Sequence, residues 1–548
     1  KLAIPRDHFR WSVWARALTG EALVRFVRDE VFAFYAEMGA QAAQNFMSGA
    51  RLTIIEPTVL TQVIGKVDEL RLDQSDADTK GDLFEDLLRR IKQAGSLGQF
   101  RTPRHIIRAI VEMIDPKVGE TIYDPAAGTA GFLVAAYNHI RLANSSPAAI
   151  HEDDVDGKKQ RRGLGDKLSA AQVSALNNAT FYGNDVDPKM VRLATMNLTL
   201  RGLPNVRILL RNVLTTTLDK EVKRELGLPQ EGYHVVLANP PFSGRVDKDR
   251  IVDDVKVGTT TATELLFLKY MIDSLRPGGR CGVVLPEGVL RGSSQSHTEL
   301  RRQLLENNTV EGVIGLPHAA FKPYASVATF ILIFRKGGST KRVWMAQVDS
   351  DGYSPDSLRD PIVNDDIPAT IEAWKIREDS SYVPQLRKHG WVSLEQIQAN
   401  QLCFVPKLYL RNQQLDHRFP LVSLGEICHI CKGKSSASKS SEGTYPLVTT
   451  GETWKSISHA DFVGPAICIP LVSSTGHGHA SIKRIHFVEG HFSAATIVSV
   501  LTVKDDSRVS ARYLHYFLSS FKDEILVPLM SGAANVSLSV EKISNVRI

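Results

Sequence analysis

Along the first hundred positions apolar residues recur at spacings of three and four, as in Ala22-Leu23-Val24-Arg25-Phe26-Val27 and Leu83-Phe84-Glu85-Asp86-Leu87-Leu88, and this period predicts helices. From about residue 98 the texture changes. Short apolar runs alternate with helical patterns: Thr121-Ile122-Tyr123, Ala179-Thr180-Phe181-Tyr182, Val206-Arg207-Ile208-Leu209-Leu210, His234-Val235-Val236-Leu237-Ala238 and Cys281-Gly282-Val283-Val284-Leu285. Strands alternating with helices predict an α/β domain, a mostly parallel, doubly wound sheet of Rossmann type covered on both faces. Its last strands are expected at 310–314 and 327–334.

These changes of pattern divide the chain into a helical leader over 1–97, the α/β domain over 98–345, a connector over 346–415 and a β-rich α+β domain over 416–548. A chain of 548 residues suits about three cores. The connector carries loops, Asp/Pro turns and one Trp-containing helix around 371–376, and is expected to pack on the α/β domain. In the last domain, runs such as Ala466-Ile467-Cys468-Ile469 stand between Gly, Ser and Thr turns. Within 143–170, Asp153-Asp154 precedes Lys158-Lys159 and Arg161-Arg162, which reads as a solvated insertion.

Composition narrows the class. With 43% apolar and 23% charged residues the chain is globular rather than disordered or fibrous. The apolar run at 327–334 is too short to span a bilayer, and no signal peptide is visible. Five cysteines without regular spacing make no disulfide framework and fit a reducing cytoplasm. The close pair in Cys428-His429-Ile430-Cys431 lacks the further ligands of a zinc site, so no metal is expected, and the two side chains read as strand positions. A net charge of +6 permits a polyanionic partner without requiring one.

Candidate chemistry begins with Asp124-Pro125-Ala126-Ala127-Gly128-Thr129-Ala130-Gly131-Phe132, which follows a strand and enters a helix. In an open α/β sheet ligands sit beyond the carboxyl ends of the strands, and glycines at 128 and 131 let the backbone approach one. The loop has neither the Gly-Lys-Ser/Thr ending of a phosphate loop nor the full spacing of a dinucleotide fingerprint. A second strand ends at Gly183-Asn184-Asp185, where a carboxylate can accept both hydroxyls of a ribose. Asp185 is preferred, because Asp187-Pro188 reads as the cap of the next helix. After the third strand, the side-chain carbonyl of Asn212 can hold an adenine amino group.

Asn239-Pro240-Pro241-Phe242 ends the strand at 234–238, so it points into the same crevice. Two acceptors, the Asn239 side-chain oxygen and the Pro240 carbonyl, can each take one proton of an aromatic amine and leave its lone pair facing an electrophile. The fixed φ of Pro240 keeps the acceptor in place. Phe242 offers a ring for stacking a base rotated out of a duplex. A structural Pro-Pro turn is the competing reading. Cytosine C5 chemistry needs a cysteine nucleophile after a proline, and none of the five cysteines follows one.

With Gly98-Gln99-Phe100-Arg101-Thr102-Pro103 before the glycine loop and Asn-Pro-Pro-Phe after it, residues 20–345 resemble the methylation subunits of type I restriction-modification systems, in the motif order of the gamma class of amino-methyltransferases. Glu264-Leu265-Leu266-Phe267-Leu268 and Pro277-Gly278-Gly279 are similar to the family's later elements. The resemblance implies S-adenosylmethionine as cofactor, with Gln99, Phe100, Thr102 and Pro103 over its methionine end and Asp124, Ala126, Gly128, Thr129 and Gly131 forming the main loop. It implies adenine-N6 methylation of double-stranded DNA with base flipping, through Asn239, Pro240, Pro241 and Phe242. Asn212 departs from the family, where an acidic residue is usual.

The last 130 or so residues resemble half of a type I specificity subunit, on Phe419-Pro420-Leu421-Val422-Ser423-Leu424-Gly425-Glu426-Ile427, Tyr445-Pro446-Leu447 and Ile543-Ser544-Asn545-Val546-Arg547-Ile548. Thirteen Lys/Arg face eleven Asp/Glu across 416–548, so attraction to DNA rests on chosen contacts. Lys432, Lys434, Lys439, Lys455, Lys483 and Arg484 are the candidates for phosphates, and His477 and His479 for base edges. One recognition half per chain suggests a homodimer, with a separate restriction endonuclease subunit as a further partner, no membrane association, and a cytoplasmic, nucleoid-associated setting. The leader shows no Asp with Glu-x-Lys arrangement, so methylation without cleavage is expected. Cytosine N4, RNA or a protein glutamine as methyl acceptor, and a non-catalytic DNA-binding subunit, are the alternatives.

Overall fold

The computed structural model describes residues 6–37, 50–72, 77–93, 102–155, 158–203, 205–323, 327–385, 387–410, 422–436, 443–474, 480–531 and 536–548. Gln99, Phe100, Lys439, His477 and His479 lie outside them.

A nine-stranded sheet forms the centre. Its strands are β1 (Ile122–Asp124), β2 (Phe181–Asp185), β3 (Arg207–Leu210), β4 (Tyr233–Ala238), β5 (Leu275–Pro286), β6 (Asn308–Gly315), β7 (Thr329–Lys336), β8 (Arg342–Gln347) and β9 (His389–Ser393). They lie side by side in the order 3-2-1-4-5-7-6-8-9. β1 to β5 run parallel, β7 is antiparallel to both its neighbours, and β9 closes the edge antiparallel to β8. The order reverses at β1, which puts the ends of β1 and β4 at the point where open α/β sheets bind ligands.

The strands are apolar on both faces because helices cover both. On one face Ile122, Phe181, Ile208, Val235 and Leu237 pack against the helices Arg104–Ile114, Gly131–Ala143 and Pro188–Leu200. On the other, Tyr123, Tyr182, Val236 and Ala238 meet the helices Thr263–Ser274 and Gln295–Asn307. The segment expected as a connector is part of this layer: it supplies β9, buries Phe404 and Val405 in the second core, and sends the helix Ile367–Lys375 across the first. Gly312 makes room for that helix, since a Cβ there would stand 2.4 Å from the Trp374 ring, whose indole N–H donates to the Met113 carbonyl at 2.9 Å.

The polar insertion is a two-stranded hairpin, Ile150–Val155 with Lys158–Gly163, in which Glu152 stands opposite Arg161 and Asp154 opposite Lys159. In the leader, the helix Ala77–Gln93 lies on Pro188–Leu200 through Phe84, Leu88 and Met190, and Asp82 and Glu85 pair with the buried Arg201 at 3.2 and 3.3 Å.

The C-terminal domain holds two four-stranded sheets and the helix Ala511–Ile525. Its two ends meet: the Val422 N–H donates to the Ile548 carbonyl at 3.2 Å, and the Ile548 N–H donates to the Val422 carbonyl at 3.0 Å. Among the described residues no helix is long and apolar enough to cross a membrane.

Candidate functional site

The glycine loop links the ends of β1 and β2. The Asp124 carboxyl is buried and accepts the Ala126 N–H at 3.0 Å. Burial pushes it up to about 8; the Ala126 hydrogen bond opposes this rise and the nearby Asp185 charge adds to it. Asp185 accepts the Gly128 N–H at one oxygen and the Asp187 N–H at the other, both at 2.9 Å, and its carboxyl is also raised by burial. Each oxygen keeps a lone pair for a ligand hydroxyl. Asp187 accepts the Lys189 N–H at 2.8 Å as the cap of the helix Pro188–Leu200, as its place before Pro188 predicts.

The loop itself is tightly tied. The Ala127 N–H donates to the Asn184 carbonyl at 2.9 Å, and the Asn197 amide donates to the Thr129 carbonyl at 2.8 Å. Gly128 adopts φ +52° with no atom within 4 Å of where its Cβ would be, leaving an open approach above the loop. Gly131 starts a helix, and a Cβ there would stand 3.0 Å from Ile107. Ala126 is half-buried in this loop, and Thr102 and Pro103, which lead into the helix Arg104–Ile114, are half-buried as well.

The Asn212 oxygen, expected to meet an adenine amino group, accepts the Leu214 N–H at 3.0 Å, so one lone pair remains. Two apolar side chains at the strand ends carry no signal of their own in the sequence pattern. Val186 and Leu210 are 61% and 57% exposed at the ends of the neighbouring strands β2 and β3. Such exposure beside a polar cleft offers apolar surface to a flat heterocycle.

At the end of β4 the Asn239 side-chain oxygen is buried and has no hydrogen-bond partner. Pro240 is buried, Pro241 exposed and Phe242 half-buried. The Phe242 ring meets Phe321 edge to face, with centroids 5.4 Å apart and planes at 75°. Phe321, from the loop after β6, was also missed; its one signal is an aromatic residue in a loop at the carboxyl end of the sheet. The loop after Phe242 is closed by the Thr263 N–H donating to the Gly244 carbonyl at 3.2 Å, and burial raises the neighbouring Glu264 carboxyl.

In the C-terminal domain Lys432, Lys434, Lys455, Lys483 and Arg484 are exposed. Arg484 pairs with Glu452 at 2.8 Å, which joins the loop before Lys455 to the segment of Lys483. Lys432 and Lys434 form a second group, with the Lys434 ammonium 5.5 Å from the centre of the Phe462 ring. Cys428 is buried, its thiol pushed up to about 11, and Cys431 is exposed three positions along the same strand, facing the opposite side. Among the described residues no group of three or more His, Cys, Asp or Glu side chains is arranged to hold a metal ion.

The family model of the N-6 DNA methylases matches residues 75–418. The chain belongs to the N-6 DNA methylase family. It is 29% identical over 426 residues to the methylase subunit of the type I restriction enzyme EcoEI of Escherichia coli, an alignment covering 75% of this chain and 80% of that one. This N-6 DNA methylase also shares its fold with a modification subunit assigned to a type I restriction enzyme of Vibrio vulnificus, with a TM-score of 0.57, 23% identity and coverage of 72% and 81%. The fold of the type IIG restriction endonuclease BpuSI extends the likeness over 99% of this chain and 69% of that one, with a TM-score of 0.51 and 13% identity. The protein is a DNA methyltransferase of the type I restriction-modification kind, and the family implies S-adenosylmethionine as methyl donor.

Proposed function

We propose that this methyltransferase acts on the exocyclic N6 of an adenine rotated out of duplex DNA into the cleft beside Asn239, at sequences chosen by its C-terminal domain. The observation that carries this reading is the buried, partnerless Asn239 oxygen. Leaving a buried acceptor unpaired costs about 1–3 kcal/mol, and an amino group entering the cleft supplies the missing donor. Adenine N6 carries two N–H groups; one donates to the Asn239 side-chain oxygen and the other to the Pro240 carbonyl, and as the methyl group passes from sulfur to nitrogen, with the thioether as leaving group, one of these protons is released to solvent. The nitrogen lone pair, otherwise spread into the purine, is then directed outward, and positive charge developing on N6 faces two oxygens. Phe242 stacks the base, which offsets part of the few kcal/mol that unstacking costs.

S-adenosylmethionine supplies a methyl group on a sulfonium. Asp124, Ala126, Gly128, Thr129 and Gly131 line its approach, Asp185 takes the ribose hydroxyls, Val186 and Leu210 flank the adenine ring, and Asn212 meets its amino group. Gln99, Phe100, Thr102 and Pro103 cover the methionine end. The open space above Gly128 and the free lone pairs of Asp185 support this assignment. Lys432, Lys434, Lys439, Lys455, Lys483 and Arg484 contact phosphates, and His477 and His479 reach base edges. Two copies read one site through their two recognition domains, and a separate endonuclease subunit carries out cleavage.

Asn239→Ala tests the core of the reading. Adenine methylation should fall by at least about a hundredfold, the scale of losing one transition-state acceptor, while cofactor affinity by calorimetry is retained. Near-normal turnover would refute the role of Asn239, and N4-methylcytosine in place of N6-methyladenine among the product nucleosides would change the substrate.

A further inference from the structure

The ends of β1, β2 and β3 share one arrangement. Asp124, Asp185 and Asn212 are the proposed cofactor contacts, and the residues immediately before them, Tyr123, Asn184 and Arg211, are linked in a series in which the Tyr123 hydroxyl meets Asn184 and Tyr270, and the Tyr270 hydroxyl meets Arg211. The Tyr123 hydroxyl donates to the Asn184 side-chain oxygen at 2.6 Å and lies 2.9 Å from the Tyr270 hydroxyl. Arg211 donates to the Tyr270 oxygen at 3.3 Å. The direction of every bond follows from proton count. A guanidinium can only donate, and each phenol has one proton. Tyr123 gives its proton to Asn184, so Tyr270 gives its own to Tyr123 and accepts from Arg211.

The main-chain carbonyl of Asn184, a separate group from the side-chain oxygen that meets Tyr123, accepts the Ala127 N–H at 2.9 Å, so Asn184 ties the series to the glycine loop through its backbone. Tyr123 and Asn184 are almost fully buried, and Tyr123 stacks on Tyr233 with centroids 4.2 Å apart. In such surroundings hydrogen bonds in series strengthen one another, and breaking one weakens the rest. Tyr270 itself lies on the helix Thr263–Ser274, whose first residue is tied to the loop after Phe242. The strand register puts Tyr123 and Asn184 on the sheet face opposite Asp124 and Asp185, so these groups act from behind the cleft.

We propose that Tyr270 is a positioning residue for the cofactor: its hydroxyl bridges Arg211 after β3 to Tyr123 of β1, which in turn holds Asn184 of β2, and this series sets the spacing at which Asp124, Asp185 and Asn212 meet one ligand. The proposal rests on the reading of those three residues as the cofactor site.

Tyr270→Phe and Tyr123→Phe in the full chain, singly and together, test it, with S-adenosylmethionine and S-adenosylhomocysteine as probes in calorimetry and with steady-state methylation. Each single variant is expected to weaken both probes about tenfold and to raise the cofactor KM alike, with kcat at saturating cofactor within about twofold. The double variant is expected to match the weaker single variant, because both break one chain. Unchanged affinity in Tyr270→Phe, effects that multiply in the double variant, or a fall in kcat alone would each overturn the proposal. A lowered unfolding temperature with unchanged affinity would overturn it as well. Asp185→Ala separates the two levels. If it too leaves affinity unchanged, the cofactor reading fails and takes the proposal with it; if it weakens binding while Tyr270→Phe does not, only the positioning role fails.

Discussion

Phe321 and Phe242 stand edge to face at 5.4 Å, so the ring proposed to stack the target base is held by a buried aromatic residue from the loop after β6. An aromatic pair of this kind contributes about 0.5–1.5 kcal/mol beyond its burial. Phe321→Leu keeps an apolar side chain there but removes the ring contact. Turnover on duplex DNA is expected to fall by about 3- to 10-fold, with cofactor affinity intact. Single-turnover methylation beside a cofactor titration checks this, and unchanged turnover would show that Phe242 needs no support.

In the proposed cofactor site the Asp124 carboxyl, raised to about 8, is expected to give cofactor binding a pH dependence. At neutral pH it is mostly protonated in the free protein, and a cationic ligand favours its ionised form. Affinity for S-adenosylmethionine should therefore climb as pH rises toward about 8 and then level off, with a proton released on binding at lower pH. In the free protein the raised value costs stability progressively as pH rises from the unfolded carboxylate range toward 8, and adds no further cost above it. Calorimetry in buffers of different ionisation enthalpy reads the proton. Asp124→Asn should abolish that release, and an identical release in the variant would assign it elsewhere.

Gly183 lies beneath the glycine loop, where a Cβ would come 2.8 Å from the Ile208 side-chain tip, 3.1 Å from the Cβ of Ala127 and 3.3 Å from the Asp124 carbonyl oxygen. The Ile208 tip can rotate away, whereas the other two are held by backbone, so Gly183→Ala is expected to displace the loop. Overpacking of this order costs about 1–3 kcal/mol, and cofactor affinity is expected to fall roughly tenfold. An unchanged dissociation constant would mean that the loop adapts without loss.

For the C-terminal domain, Lys455→Ala and Lys483→Ala should each weaken DNA binding almost equally on all sequences and reduce the slope of log affinity against log salt by about one. Fluorescence anisotropy at several salt concentrations measures it. A slope equal to that of the unchanged protein would remove these lysines from the phosphate contacts.

Much of this architecture was legible along the chain. β1 to β7 coincide with apolar runs, and the glycine loop and Asn239 were visible because each follows its own strand, Asp185 because it ends one. β8 and β9 lie beyond the strands expected to be last, 310–314 and 327–334: β8 straddles the expected domain boundary at 345, and five residues around Trp391 at a sheet edge carry little periodic signal. The hairpin at 150–163 was hidden for a different reason, since its pairing rests on opposed charges rather than apolar alternation. Val186, Leu210, Phe321 and Tyr270 gain their places only from contacts between segments distant in sequence, which no local pattern encodes.

The reciprocal pair of hydrogen bonds between Val422 and Ile548 brings two distant points of the C-terminal domain side by side. On the proposal that this domain chooses the target sequence, a foreign domain with the same two adjoining segments is expected to be exchangeable as a whole, so that new targets are reached by trading one cassette without redesign of the chemistry.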